Sequence, residues 1–210
     1  MAQIIQATNL TLRDLKTKYQ VQEVNNDQFF REWLDNLPEV TDLEKQYLDR
    51  VKVNYLHLAE RPMLENTVKM VVLSPLLDLA GFYQAPFDID SELEVSVPIS
   101  AEDEGVIVKG KIDVLALKGQ LWILVIESKR ARFAVTEAIP QALAYMMASP
   151  NVNRPTFGLA INGSDFIFLK LTKQETPQYA LSRLFSILNP GNELYNVLSI
   201  LKRIGALISS

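Results

Sequence analysis

Apolar and polar residues alternate with different periods along this chain, and the changes of period divide it into elements. The first sixty residues read as helical and polar on one side. Phe29-Phe30-Arg31-Glu32-Trp33-Leu34 ends near Pro38, and Thr41-Asp42-Leu43-Glu44 has the capping-box pattern that opens a following helix. A second helix is expected from Pro62 through Leu64, Val68, Val71, Val72 and Leu76 to a stop at Gly81, with a kink at Pro75. From Phe87 the period becomes two: Leu93, Val95, Val97 and Ile99 alternate with Glu94, Ser96 and Pro98, the signature of a strand with one wet face. Two further strands, about residues 106–117 and 121–127, flank the glycine-containing turn Lys118-Gly119-Gln120. Thr136 is placed to cap a helix carrying Ile139, Gln141, Leu143, Ala144, Tyr145 and Met146, with Pro140 in or near its first turn. Residues 156–161 and 166–171 read as short strands joined by Asn162-Gly163-Ser164-Asp165. From Tyr179 to Leu207 the chain is apolar at helical spacing, with a break at Asn189-Pro190-Gly191.

Composition narrows the class. With 210 residues and 48% hydrophobic content the chain can bury one good core, so one compact domain with helical additions is expected. The absence of cysteine excludes disulfides, thiolate zinc sites and a cysteine nucleophile. No apolar stretch approaches the roughly 20 residues that span a bilayer, and the N-terminus lacks a charged segment followed by an apolar signal core. A soluble, cytoplasmic protein without a membrane partner is the expectation. The net charge of −4 argues against coating nucleic acid through bulk electrostatics, yet residues 105–132 are locally basic. Lys109, Lys111, Lys118, Lys129, Arg130 and Arg132 face only Asp113 and Glu127 there, which suits an anionic substrate.

The chemistry concentrates in that basic zone. Leu121-Trp122-Ile123-Leu124-Val125-Ile126 is a near-continuous apolar run of the kind found in a central strand covered on both faces. Glu127 and Lys129 follow it at once, and being two apart they project to one face while Ser128 points away. Folding about Lys118-Gly119-Gln120 brings Asp113 nearly opposite Glu127. Ionised groups at such positions cost several kcal/mol of desolvation, by order of magnitude, unless paired or holding a metal. Two readings stand side by side: a salt bridge from Lys129 to Glu127 or Asp113, or a pair of hard oxygen ligands for Mg²⁺ with a lysine that orients the nucleophile and stabilises charge growing on a phosphate.

Asp113, then Glu127-Ser128-Lys129 across a hairpin, resembles the signature of the PD-(D/E)xK nuclease superfamily. Glu65, on the helix before the first strand, is similar to the helix glutamate that completes the metal site in many members. Gln141-Ala142-Leu143-Ala144-Tyr145 looks like the Q-x-x-x-Y motif of the RecB-like and type I restriction branches. The likeness is closest to the N-terminal nuclease domain of type I restriction enzyme R subunits. It extends to Leu73-Ser74-Pro75-Leu76-Leu77-Asp78-Leu79-Ala80-Gly81-Phe82 and Phe157-Gly158-Leu159-Ala160-Ile161-Asn162-Gly163, and spans roughly residues 60–170. It implies an α/β (α+β) restriction-endonuclease-like fold with a mixed central sheet flanked by helices. A helical extension over 1–60, a nuclease-like core over 61–175 and C-terminal helices over 176–210 are expected around it.

By the same resemblance, Asp113 and Glu127 are metal ligands, Lys129 the catalytic lysine and Glu65 an auxiliary ligand. Gln141 and Tyr145 position the DNA backbone or the metal site. The implied activity is Mg²⁺- or Mn²⁺-dependent hydrolysis of DNA phosphodiester bonds. Ile112 replaces the superfamily's proline before the aspartate. An R subunit carries a helicase motor, for which this chain has no room, so separate motor or specificity subunits are implied partners. The rival is a DNA-binding or assembly module of a restriction or DNA-processing system that does little chemistry alone. A homodimer is a reasonable assembly, because cutting both strands commonly needs two active sites.

Other signals carry less. Gly105-Val106-Ile107-Val108-Lys109-Gly110-Lys111 begins like a phosphate-binding P-loop, but Ile112 stands where Ser or Thr would hold Mg²⁺, and no helix follows. His57, the only histidine, sits in a helical stretch with no triad partner in view. Glu102-Asp103-Glu104 reads as a solvated loop. Glu65 also fits a helix-surface charge near a positive N-terminus, and Gln141 and Tyr145 also fit ordinary helix packing. Arg130 and Arg132 suit phosphate contact or plain solvation equally.

Overall fold

Among the described residues, the runs of alternating and continuous apolar positions become one mixed sheet of nine strands with helices on both faces. This computed structural model describes residues 3–99, 106–130 and 133–209. In chain order the elements are β1 (Gln3–Gln6), α1 (Leu12–Lys18), β2 (Gln22–Glu23), α2 (Asp42–Leu58) and α3 (Glu65–Val68). A π turn (Lys69–Leu73) then leads into α4 (Ser74–Leu79), β3 (Asp88–Ile99), β4 (Val106–Lys118) and β5 (Leu121–Ser128). They are followed by α5 (Ile139–Ala148), β6 (Thr156–Ile161), β7 (Asp165–Thr172), β8 (Gln178–Leu181), β9 (Phe185–Ser186) and α6 (Leu194–Ser209).

The order across the sheet is β1-β4-β5-β6-β7-β8-β2, with β3 also on β4 and β9 also on β7. Most neighbours are antiparallel; β1 with β4, β5 with β6 and β2 with β8 are parallel. Parallel β5 and β6 need a crossover, and α5 provides it. On one face α2, the π turn, α4 and α6 bury Leu48, Val72, Leu76 and Leu201 against Ile126, Leu159 and Phe168. On the other, α1 and α5 bury Leu15, Leu143 and Met146 against Val125, Ala160 and Leu169. Strands covered on both sides must be apolar on both, which explains the unbroken run in β5.

Several expectations are corrected. The first sixty residues are not purely helical, because β1 and β2 join the sheet, and the tail contributes β8 and β9 before its one helix. The segments 1–60 and 176–210 thus share a sheet with the central part of the chain. Phe29–Leu34 forms turns rather than a helix: a segment this short cannot offset the cost of nucleation, and Phe30 and Trp33 instead pack singly on Phe157 and Phe185. The helix expected from Pro62 starts at Glu65, and the irregularity at Pro75 takes the form of the preceding π turn, which accommodates a residue with no N–H to donate. Thr136 lies inside a 3₁₀ turn, Val135–Ala138, and does not cap α5, whose first turn holds Pro140. The capping box of Thr41 and Glu44 forms as read. Among the described residues no helix is long and apolar enough to cross a membrane.

Candidate active site at a split in the sheet

The site arises where β4 changes partners. One edge of β4 is bonded to β3 along its length; the other is bonded to β1 over residues 106–109 and to β5 over 114–118. Between those stretches, residues 110–113 face a gap. β5 leaves β4 after Val114 and Ile126 and continues through Glu127 and Ser128 paired to β6 alone. Ile112 packs in the α5 layer while Val114, two residues on, packs in the opposite layer, so β4 turns over at Asp113. Opposite it in β3, Glu92 has a left-handed φ of 58°, a conformation that costs a non-glycine residue about 1 kcal/mol or more. Asp113 therefore stands at a seam with access to both layers.

On the α5 side, Glu127 is 2% exposed at the end of β5. Its Oε1 accepts from Lys129 Nζ at 2.8 Å, and the same ammonium donates to Gln141 Oε1 at 2.7 Å. Gln141 Nε2 donates to the Tyr145 hydroxyl at 2.8 Å, and that hydroxyl also accepts the backbone N–H of Lys111 at 3.0 Å. Gln141 and Tyr145 are one turn apart on α5, so a single helix face aims both at the seam. The network needs Gly110: a Cβ there would lie 2.5 Å from the Tyr145 hydroxyl. Burial, then the charge of Asp113, pushes the Glu127 carboxyl up to about 8 against the opposing pull of Lys129. Burial and the Glu127 charge push the Tyr145 phenol up to about 12.

On the other side, Asp113 is held by two different donors. Its Oδ2 accepts the backbone N–H of Ser128 at 2.7 Å, which spans the split. Its Oδ1 accepts from Lys69 Nζ at 2.8 Å. Lys69 opens the π turn and also pairs with Glu65 Oε1 at 3.1 Å and Glu92 Oε1 at 3.4 Å. Burial pulls the Lys69 ammonium down, and the hydrogen bonds and charges of Asp113 and Glu65 more than reverse it, so the group is raised overall. Lys111 pairs with Glu92 Oε2 at 2.8 Å.

The residues expected to act together fall into two groups. Asp113, Glu127, Lys129, Gln141 and Tyr145 meet at the seam, whereas Glu65 reaches it through Lys69 and through its field on Glu127. Among the described residues no three His, Asp or Glu side chains gather closely enough to hold a metal ion. Asp113 and Glu127 nevertheless fit a hard divalent cation that keeps several waters. The buried Oε2 of Glu127 has no hydrogen-bond partner among the described residues, and an unpaired buried carboxylate oxygen beside a second carboxylate is costly without a cation. Two open clefts flank the seam. One of about 430 Å³ is lined by Gln6, Thr8, Lys109, Lys111, Gln141 and Tyr145. The other, of about 590 Å³, is lined by Asn66, Lys69, Tyr83, Ser91, Glu92 and Asp113.

Arg130 is exposed and borders a hollow formed with residues 59–64. Arg132 and Glu102-Asp103-Glu104 lie outside the described residues. His57 is exposed on α2, away from the seam's hydrogen bonds. Three residues that matter escaped the sequence reading. Lys69 carried a signal in its i,i+4 spacing from Glu65. Gly110, a glycine inside a strand, signals close approach of another group. Glu92 carried none, since its role depends on the turnover of two paired strands. Compared with known proteins, the chain matches no protein-family model and no curated protein sequence.

Proposed function

We propose that this protein is a metal-dependent nuclease with a restriction-endonuclease-like fold, hydrolysing DNA phosphodiester bonds at the split between β4 and β5. The observation that carries the reading is the ammonium of Lys129, clamped between Glu127 Oε1 and Gln141 Oε1 beside a buried carboxylate oxygen that has no partner among the described residues. A lysine that served only as a counter-ion would gain nothing from an amide fixed in turn by a buried tyrosine. A clamped ammonium is instead preorganised to meet charge developing in a transition state.

Asp113 and Glu127 would hold the cation, each approaching from a different strand of the split. When bound, such an ion supplies Lewis acidity and positive charge beside the scissile phosphate. Lys129 donates to Glu127 and Gln141, and its third N–H would orient the attacking water or neutralise the phosphoryl oxygens. Gln141 fixes the direction of that ammonium, and Tyr145 fixes Gln141 while tethering the free edge of β4 through Lys111 N–H. Lys109 and Lys111 line the cleft on this side and suit a phosphate backbone lying along the gap.

The test is incubation of the purified chain with supercoiled and linear DNA in Mg²⁺ or Mn²⁺, with Lys129→Ala and chelator controls. Cleavage by the parent alone, and only with metal, is the expected result. Metal-independent cleavage, or cleavage that survives in a folded Lys129→Ala protein, would overturn the assignment. A second reading, a DNA-binding or assembly module, is favoured by one observation: Lys69 already satisfies Asp113 without a metal. Affinity for DNA measured against salt separates a DNA binder from a protein-interaction module, because neutralised phosphates impose a steep negative slope.

A further inference from the structure

The geometry points to Lys69 as an internal counter-ion that competes with the divalent metal for Asp113, so that metal binding requires its release. This inference rests on the nuclease reading of the same site. Lys69 Nζ sits among Asp113 Oδ1 at 2.8 Å, Glu65 Oε1 at 3.1 Å and Glu92 Oε1 at 3.4 Å, with its side chain 16% exposed. One ammonium thus serves three carboxylates. An ammonium and a divalent cation placed on the same carboxylate repel each other strongly in a partly buried setting.

The other oxygen of Asp113 is tied to the backbone of Ser128, so the carboxylate cannot simply turn away from Lys69 without breaking a bond across the split. It is the lysine that is free to move. Glu65, one turn before it on the same helical stretch, and Glu92, across the cleft, both remain available to an ammonium that lets go of Asp113. The π turn beginning at Lys69 is a local departure from regular helix of the kind found where a side chain must be re-aimed. Without the metal, Lys69 keeps Asp113 neutralised beside the buried Glu127. With the metal, the ammonium relaxes towards Glu65 and Glu92 and leaves Asp113 Oδ1 to the ion. Lys129 has no such freedom, since Gln141 holds it on the α5 side.

Because competition is reciprocal, removing the ammonium must tighten metal binding. Titration of the full chain with Mn²⁺ by calorimetry is expected to give Lys69→Met a dissociation constant lower than the parent's by about fivefold or more. Equal or weaker binding by folded Lys69→Met, with the parent binding normally, overturns the role of Lys69 and leaves the nuclease reading intact. Absence of Mn²⁺ binding by both proteins overturns the nuclease reading and this inference with it. A measurement on the parent avoids dependence on the variant: acetylation of Lys69, read by mass spectrometry against the half-exposed Lys45, should accelerate at saturating Mn²⁺. Unchanged acetylation at a metal concentration shown by calorimetry to saturate the site contradicts release.

Discussion

Two lysines meet two carboxylates at one seam, and they are held differently. Lys129 has one acidic partner, Glu127, and one amide partner, Gln141, which is itself buttressed by Tyr145 and the edge of β4. Among the described residues, Lys69 has three acidic partners and no neutral one. A neutral hydrogen-bond acceptor contributes direction with little charge, so the first arrangement aims an ammonium, whereas the second spreads one charge over several. On the proposed function, the difference separates a group positioned for chemistry from one positioned for charge balance, although both lie within hydrogen-bond distance of a candidate metal ligand. A lysine–carboxylate distance alone does not distinguish them; the partners on the far side of each ammonium do.

Changes on either side should break this comparison by different amounts. The largest effect is expected from Lys129→Ala, which removes the aimed ammonium and should lower the plasmid-cleavage rate by roughly 10²–10³-fold while leaving Mn²⁺ binding measurable by calorimetry. Glu127→Gln should follow, through stability as well as activity. The Glu127 carboxyl is raised to about 8 in the folded protein, above its ordinary value of 4.5, so between those values the folded state retains a proton that the unfolded chain has lost. Stability therefore falls as pH rises through that window, by about 1.4 kcal/mol per pH unit at most from this group. Urea unfolding in chelator at pH 5 and pH 8 should show the parent losing on the order of 2–4 kcal/mol more than Glu127→Gln over that interval. A parallel pH dependence in the two proteins would contradict the burial of an uncompensated charge at Glu127.

Lys69→Ala sharpens the contrast, because it leaves three carboxylates facing one another. A loss of about 2 kcal/mol in unfolding free energy is expected without metal, largely recovered when Mn²⁺ is added. Truncation at Lys129 should show no comparable recovery. Smallest is Gly110→Ala, where the new Cβ must displace the Tyr145 hydroxyl from 2.5 Å. A cost of about 1–2 kcal/mol is expected, with an accompanying drop in cleavage as the Tyr145–Gln141–Lys129 relay shifts. If Gly110→Ala lowered stability but left cleavage untouched, Tyr145 would be a packing residue and not part of the clamp.

The legible parts of this protein are those whose cause is local. β6 and the two strands around Gly119 could be placed from period and turn chemistry, and Gly119 does adopt the positive φ that such a turn needs. Thr41 and Glu44 form their capping box because both partners lie within one turn. The errors lie where distant packing decides. β1 gains strand structure from pairing with β4, β9 from pairing with β7, and β8 from lying between β7 and β2. A strand's hydrogen bonds are completed by a partner that its own sequence does not name, so edge elements of two to four residues carry little signal.

The same division runs through the site. The sequence by itself determined that Glu127 and Lys129 share a face at the end of a buried strand, that Asp113 lies across a hairpin from them, and that Gln141 and Tyr145 occupy one face of a helix. Those relations follow from the periods of strand and helix. Only the tertiary structure decided that β5 parts from β4 just before Glu127, that both β3 and β4 turn over at Glu92 and Asp113, and that a π turn delivers Lys69 to the same aspartate. Backbone periodicity sets which side chains point together within an element; where two elements separate, and which charge from a third fills the opening, depends on the packing of the whole sheet between its two helical layers.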